Sequence, residues 1–139
     1  SREEVRLRGA ASGAFALAPD WCIAVDVTHA RTPDAPKGET FEAGKGCTVG
    51  VGPNANRALT AAIMEAGKAG EIPFSVEVMP RSSGTNGWAI QITRQGVATA
   101  IVSVPVKYMH SPMETASLAD AEAAAKLITA FIRGGWLNG

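Results

Sequence analysis

Three short stretches of the sequence hold side chains that could carry out metal-assisted hydrolysis. They are "SREEVRLRGA" with Glu3 and Glu4, "AVDVTHA" with Asp26, and "KYMHSP" with His110. Carboxylate and imidazole groups are normal ligands of zinc and cobalt. A further carboxylate beside a metal-activated water can serve as the general base of a hydrolase. Each stretch also has an ordinary structural explanation.

Asp26 lies inside an apolar run that is typical of a buried strand. A buried, unpaired carboxylate costs several kcal/mol, so Asp26 requires a metal, a cation or several N–H donors. An aspartate that caps a neighbouring loop would satisfy the same need, and the stretch leaves both explanations open. His29 follows three residues later, in a predicted turn, where a histidine bonded to the backbone is the commoner case than a metal ligand.

His110 follows an apolar strand and precedes Pro112. A lone histidine in such a place is more often structural than a ligand. A carboxylate-bearing strand in the same sheet favours the metal interpretation, because imidazole and carboxylate together form a normal zinc or cobalt set.

Glu3 and Glu4 are adjacent and fall at the start of a predicted helix. Neighbouring side chains on a helix point about 100° apart, so the two usually cannot bind one metal together. One could bind a metal while the other acts as the general base on a water. The alternative is a solvated helix start, where acidic side chains interact favourably with the helix dipole.

The elements that must position these residues alternate along the chain in the order α, β, β, α, β, α, β, α. Apolar periodicity and capping residues predict helices over 3–17, 56–70, 85–96 and 117–135, with Ser117 and Asp120 capping the last. Continuous or alternating apolar runs predict strands over 22–27, 47–52, 74–80 and 98–105, the last stopped by Pro105, and residues 31–46 read as a long exposed loop. This order predicts a three-layer α/β/α sandwich with a mostly parallel or mixed sheet. Asp26 and His110 then fall at strand ends, where sites form in such sheets.

Length and composition limit the number of domains, the class of protein and the kinds of partner. Its 139 residues fit one domain, and 46% apolar with 19% charged residues is a globular composition. Thirteen basic and thirteen acidic residues give zero net charge, so no nucleic-acid or membrane partner is predicted. Cys22 and Cys47 have no further cysteine or histidine at metal-ligand spacing, which predicts two reduced thiols and a cytoplasmic protein.

The stretches taken together resemble the catalytic domain of the two-metal aminopeptidase family that includes the tetrahedral (TET) and glutamyl aminopeptidases, some members of which carry an endoglucanase label. The matching blocks run through almost the whole chain: "EEVRLRGA", "AVDVTHA", "PKGETFEAGKG", "GVGPN", "GTNGWAIQ" and "YMHSPMET". The resemblance implies that Glu3 is the general base and that Glu4 and His110 bind one metal. It implies that Asp26 binds the other metal.

The same resemblance implies two divalent ions, zinc or cobalt, a peptide substrate held by its free amino terminus, and a homo-oligomer. The family also uses a His-x-Asp motif and a bridging aspartate ahead of the glutamate pair, and only two residues precede Glu3 here. We therefore expect residues 1–139 to be the C-terminal portion of a catalytic domain, without its N-terminal segment and dimerisation domain, and to bind metal weakly or not at all. The chain departs from the sequence pattern of that family at two positions. Arg6 stands where the family pattern has Gly, and Asn86 stands where it has Asp.

Two other functions remain as alternatives. One is a non-catalytic module that keeps the fold and has lost the metals. The other is an endoglucanase, which needs two carboxylates flanking a sugar-binding cleft lined with aromatic side chains. Aromatic residues make up only 6% of the chain, which does not favour the endoglucanase.

Overall fold

The computed structural model describes residues 3–35, 40–81 and 84–135, which form a single sheet with helices on both faces. The helices are α1 (Arg8–Leu17), α2 (Arg57–Ala69), α3 (Asn86–Ile90) and α4 (Leu118–Gly134). The strands are β1 (Trp21–His29), β2 (Cys47–Val51), β3 (Phe74–Val78), β4 (Ala98–Lys107) and the short β5 (Thr115–Ala116).

The sheet is mixed, with the spatial order β1-β4-β2-β3 and β5 paired to β4. β1 runs parallel to β4, with Asp26 opposite Ser103, and β2 runs parallel to β3. β2 and β4 are antiparallel where they meet, at Val49 and Val102. The predicted mixed sheet is confirmed. Because β1 and β4 are parallel, their carboxyl ends lie at the same edge of the sheet.

The core lies mainly between the sheet and the pair α2 and α4. Leu59 and Ile63 of α2 and Leu127 of α4 are fully buried against Ala100 and Val102 of β4. A smaller cluster of buried apolar residues lies where α1, α3 and the segment before β4 meet. Both faces of β4 are therefore covered, which explains its nearly unbroken apolar sequence and confirms the three layers.

The first helix begins at Arg8, so the prediction of a helix from Glu3 is wrong. Arg6 and Leu7 have left-handed φ angles of 63° and 55°, which an α-helix cannot accommodate. Glu3 and Glu4 consequently lie in a turn, closed by a hydrogen bond from Leu7 N to Glu3 O of 3.1 Å.

The predicted turn at His29 is also wrong, because β1 stays paired with β4 through His29 opposite Val106. β4 likewise continues past Pro105 to Lys107. On the side away from β1, β4 pairs with β2 at Val102 and Ser103 and with β5 from Val106. Pro105 falls between these two ladders, so its missing N–H removes no ladder bond there.

The helix predicted over 85–96 is confirmed only in its first half. α3 ends at Ile90, and Arg94 adopts a left-handed φ of 56°. The Thr93 hydroxyl donates to Ala89 O at 3.0 Å, and Val97 N donates to Gln91 O at 3.1 Å. These bonds turn the chain directly into β4.

The predicted loop over 31–46 is exposed in part and is fixed at its C-terminal end. Within the described portions, 31–35 and 40–46, the only pairing is a single bridge between Ala30 and Phe41; residues 36–39 lie outside the described residues. Asp120 is fully buried and accepts hydrogen bonds from Gly44 N and Gly46 N, each at 2.7 Å. The prediction that Asp120 caps α4 is therefore replaced by a role in holding this loop. In the described part of the chain, no helix is both long and apolar enough to cross a membrane.

Candidate active site

A cavity of about 510 Å³ opens at the carboxyl ends of β1 and β4. All four residues predicted for the site line it: Glu3, Glu4, Asp26 and His110. They come from three separate parts of the sequence, so the fold brings together the groups that the sequence could only suggest one by one.

The glutamate pair reaches the cavity because of the turn before α1. The left-handed residues Arg6 and Leu7 separate Glu3 and Glu4 from the helix axis, so neither acid is part of a helix start. Glu3 is half-buried and Glu4 is exposed. The two side chains are therefore in different environments. Such a difference is needed if one carboxylate is to bind a metal while the other acts as a general base.

The Glu3 carboxyl has a pKa raised above its ordinary value of 4.5. Loss of solvation is the largest cause, followed by the negative charges of Glu4 and Asp26 and a hydrogen bond with Glu4. His110 acts in the opposite direction. A carboxyl pKa that is raised by loss of solvation and by neighbouring acids in a cleft is typical of a general acid or base.

His110 lies beside Glu4 in a turn after β4. Its Nδ1 is 4.0 Å from Glu4 Oε1, and its backbone N donates to Glu114 Oε1 at 2.6 Å. Tyr108 and His110 have left-handed φ angles of 57° and 62°, which direct the chain back toward the cavity. Two ligands of a tetrahedral zinc lie roughly 3 to 4 Å apart, because each bond is about 2 Å long. The nitrogen and oxygen of this pair therefore have the donor types and the spacing of two ligands to one ion.

Asp26 is half-buried within β1, three residues before its end. Its Oδ1 accepts a hydrogen bond from Val27 N at 2.8 Å. This local bond fixes one carboxylate oxygen and leaves Oδ2 as the atom with which Asp26 could bind an ion. In the ranges 3–35, 40–81 and 84–135, no three or more His, Cys, Asp or Glu side chains are already gathered as a metal site.

Glu77 of β3 lines the same cavity and was missed by the sequence analysis. Its Oε1 accepts from the Thr28 hydroxyl and its Oε2 from the Thr48 hydroxyl, both at 2.7 Å. The signal available in the sequence was a carboxylate inside the half-buried strand "FSVEV", the same signal that drew attention to Asp26.

The sequence analysis singled out three further residues, His29, Arg6 and Asn86, and the structure places them in different surroundings. His29 is exposed at the end of β1 and lines the cavity, while its backbone oxygen accepts from Phe41 N at 3.0 Å. Arg6 is exposed in the turn. Asn86 begins α3, and its Oδ1 is buried without a hydrogen-bond donor among the described residues.

The profile of the M42 glutamyl aminopeptidase family matches residues 1–127. The chain belongs to this family. It is 44% identical over 131 residues to a lysyl aminopeptidase of Pyrococcus furiosus, a match that covers 94% of this chain and 38% of that protein. The chain thus spans well under half the length of this M42 relative.

Solved structures agree with the family. An aminopeptidase from the archaeon Desulfurococcus kamchatkensis superposes with a TM-score of 0.86 at 29% identity, over 96% of this chain and 40% of that one. A TET1 peptidase of Pyrococcus horikoshii superposes with a TM-score of 0.74 at 29% identity, over 93% of this chain and 38% of that one. That peptidase is described as able to assemble into a tetrahedron or a large octahedral shell. The M42 fold is therefore shared over nearly all of this chain.

Proposed function

We propose that this chain is part of the catalytic domain of a two-metal aminopeptidase that removes N-terminal residues from peptides. The observation that carries the proposal is the convergence of Glu3, Glu4, Asp26 and His110 on one cavity. Membership of the M42 family supports the reaction class. The Pyrococcus horikoshii relative supports a homo-oligomeric assembly of the whole protein.

The donor atoms present fit divalent zinc or cobalt in type, although the set is incomplete within the described residues. Glu4 and His110 would hold one ion, and Asp26 would contribute to the second. When bound, the ions would polarise the scissile carbonyl and activate a water. A two-metal site needs further ligands, and this chain covers only 38% of the lysyl aminopeptidase that it matches.

Glu3 would act as the general base. Its carboxylate would accept a proton from the attacking water and then hold that proton for the departing amine. Glu4, exposed and 4.0 Å from His110, is better placed than Glu3 to bind an ion with that histidine.

The test uses the full-length gene product and chromogenic amides of single amino acids. We expect hydrolysis that a chelator abolishes and that added zinc or cobalt restores. The matched control is the same substrate with an acetylated amino group, which we expect to be cleaved poorly because an aminopeptidase recognises the free amine. Equal cleavage of both substrates, or hydrolysis that survives chelation, would contradict the proposal.

A second candidate is a non-catalytic module that retains the fold. It is favoured by one observation, that the described residues hold no ready group of three metal-binding side chains. Metal analysis of the full-length gene product separates the two candidates, because an enzyme should purify with up to two divalent ions per chain and the module with none.

A further inference from the structure

We propose that Glu114 is a positioning residue for His110: its carboxylate, by accepting the backbone N–H of His110, fixes the imidazole at the point where it would bind an ion together with Glu4. The inference rests on the proposed two-metal function and adds a residue to it. His110 N donates to Glu114 Oε1 at 2.6 Å, and His110 Nδ1 lies 4.0 Å from Glu4 Oε1. The described lining of the cavity includes His110 but not Glu114, so Glu114 would act through the histidine.

His110 lies in the turn that joins β4 to β5. β4 ends at Lys107 and β5 begins at Thr115, so the turn comprises residues 108–114. Ser111 N donates to Tyr108 O at 3.1 Å, and Met113 N donates to the Ser111 hydroxyl at 3.2 Å. These two bonds close the turn around the histidine without involving its own backbone groups. The bond to Glu114 is the one that holds the backbone of His110 itself.

The backbone of His110 has a conformation that needs such support. Its φ angle of 62° lies in the left-handed region, which is unfavourable for a residue that carries a Cβ atom. The direction of the side chain follows from the backbone angles, so relaxation of this φ would move the imidazole away from Glu4. A hydrogen bond to a charged carboxylate is shorter and stronger than one between neutral groups, and the 2.6 Å bond to Glu114 is of this kind.

Glu114 is itself anchored to the sheet. Thr115, the next residue, pairs with Lys107 of β4, and the Thr115 hydroxyl donates to Met113 O at 3.1 Å. From this fixed point the Glu114 side chain reaches back four residues to His110. Metal ligands must be held close to their productive geometry, and loss of a residue that orients a ligand typically lowers metal affinity 10- to 100-fold.

Two substitutions separate the hydrogen bond from the mere presence of a charge. Glu114 is exposed, so its charge alone is screened by solvent and salt. Glu114→Gln keeps the length of the side chain and an acceptor oxygen but removes the charge. Glu114→Asp keeps the charge but shortens the side chain by one methylene, so that the carboxylate no longer reaches His110 N. A positioning role predicts that glutamine replaces glutamate and that aspartate does not.

The experiment measures metal binding by the full-length gene product, with zinc in competition with a chelating indicator. We expect Glu114→Ala and Glu114→Asp to weaken one of the two ions about 10- to 100-fold and to leave the other unchanged. Glu114→Gln should stay within about threefold of the wild-type affinity. At saturating cobalt, the visible absorption of the Glu114→Ala protein should differ from that of the wild type, because the ligand geometry has changed.

Thr115→Val is the matched control. It removes a hydrogen bond of the same turn, from the Thr115 hydroxyl to Met113 O, without touching His110. We expect this variant to keep the wild-type zinc affinity and cobalt spectrum. Equal losses in Thr115→Val and Glu114→Ala would mean that the turn only needs general stability, which would overturn the inference. Unchanged zinc affinity in both Glu114→Ala and Glu114→Asp, or a loss in Glu114→Gln as large as that in Glu114→Ala, would overturn it too.

Metal binding also separates this inference from the proposed function. If the gene product binds two ions but hydrolyses no amino-acid amide, the aminopeptidase proposal fails, and the zinc affinities of the variants still decide the role of Glu114. If amides are hydrolysed and the Glu114 variants bind zinc like the wild type, the inference alone fails. A gene product that binds no divalent ion at all would contradict both.

Discussion

His110 Nδ1 lies 4.0 Å from Glu4 Oε1, although the two residues lie far apart in the sequence. Both side chains are largely exposed, so an ion pair between them would contribute little to stability. Their proximity follows from two turns with left-handed residues, one before α1 and one after β4. These turns bring an imidazole nitrogen and a carboxylate oxygen to one point, an arrangement that adds little stability and that the proposed metal site would use.

The glutamate pair should separate into two roles on mutation. In the full-length gene product, we expect Glu3→Gln to lower turnover by about 100- to 10,000-fold, because the general base is lost while the metal ligands remain. Glu4→Gln should lower the metal content as well as turnover, because it replaces a proposed ligand. Turnover and metal content measured on the same preparations test this. Equal metal loss in both variants would show that the pair is wrongly assigned.

Asp120→Asn should destabilise the protein by about 2 kcal/mol or more. Asp120 is fully buried and accepts from Gly44 N and Gly46 N, and an amide nitrogen in place of one oxygen would face an N–H donor. Urea unfolding measures the change, and hydrogen exchange should show faster exchange at the two glycine amides. Glu122→Gln on the exposed side of the same helix is the control, with an expected effect below about 0.5 kcal/mol. Similar effects of the two variants would contradict the role given to Asp120.

Cys47 should resist alkylation in the folded protein. It is fully buried, and burial raises the pKa of its thiol to about 11, so almost no thiolate forms at neutral pH. Cys22 is only half-buried, although burial raises its pKa too, and should react first. Iodoacetamide labelling followed by mass spectrometry at increasing pH tests the order. Labelling of Cys47 at pH 8 as fast as that of Cys22, without urea, would contradict it.

The sequence predicted the elements whose pattern is local. The apolar stripe placed α2, and the structure adds an N-cap at Asn56, whose side chain accepts from Leu59 N at 3.0 Å. The position of Asp26 and His110 at one edge of the sheet was predicted because, in sheets of this kind, sites form at strand ends. Both inferences use rules that need only the spacing of residues and the order of elements.

The remaining features depend on contacts between distant segments. Neither Arg6 nor Leu7 is a residue that favours the left-handed region, so nothing in the sequence marked the turn that carries the glutamate pair. Glu77 acquires its fixed orientation from Thr28 and Thr48, which belong to two other strands. That convergence could be predicted only from the pairing order of the sheet, which the sequence alone did not supply.

The 139-residue chain, expressed by itself, should bind metal weakly and hydrolyse no amino-acid amide. A zinc site normally uses at least three protein ligands, and the proposal assigns Glu4 and His110 to one ion and Asp26 to the other. The described residues hold no group of three such side chains, so neither ion would be retained and no water would be activated. Gel filtration after incubation with excess zinc or cobalt, followed by metal analysis and an amide assay, tests both statements. The full-length gene product is the positive control. Hydrolysis by the isolated chain that a chelator abolishes would overturn the ligand count, and His29, which lines the cavity, would be the first substitute ligand to mutate.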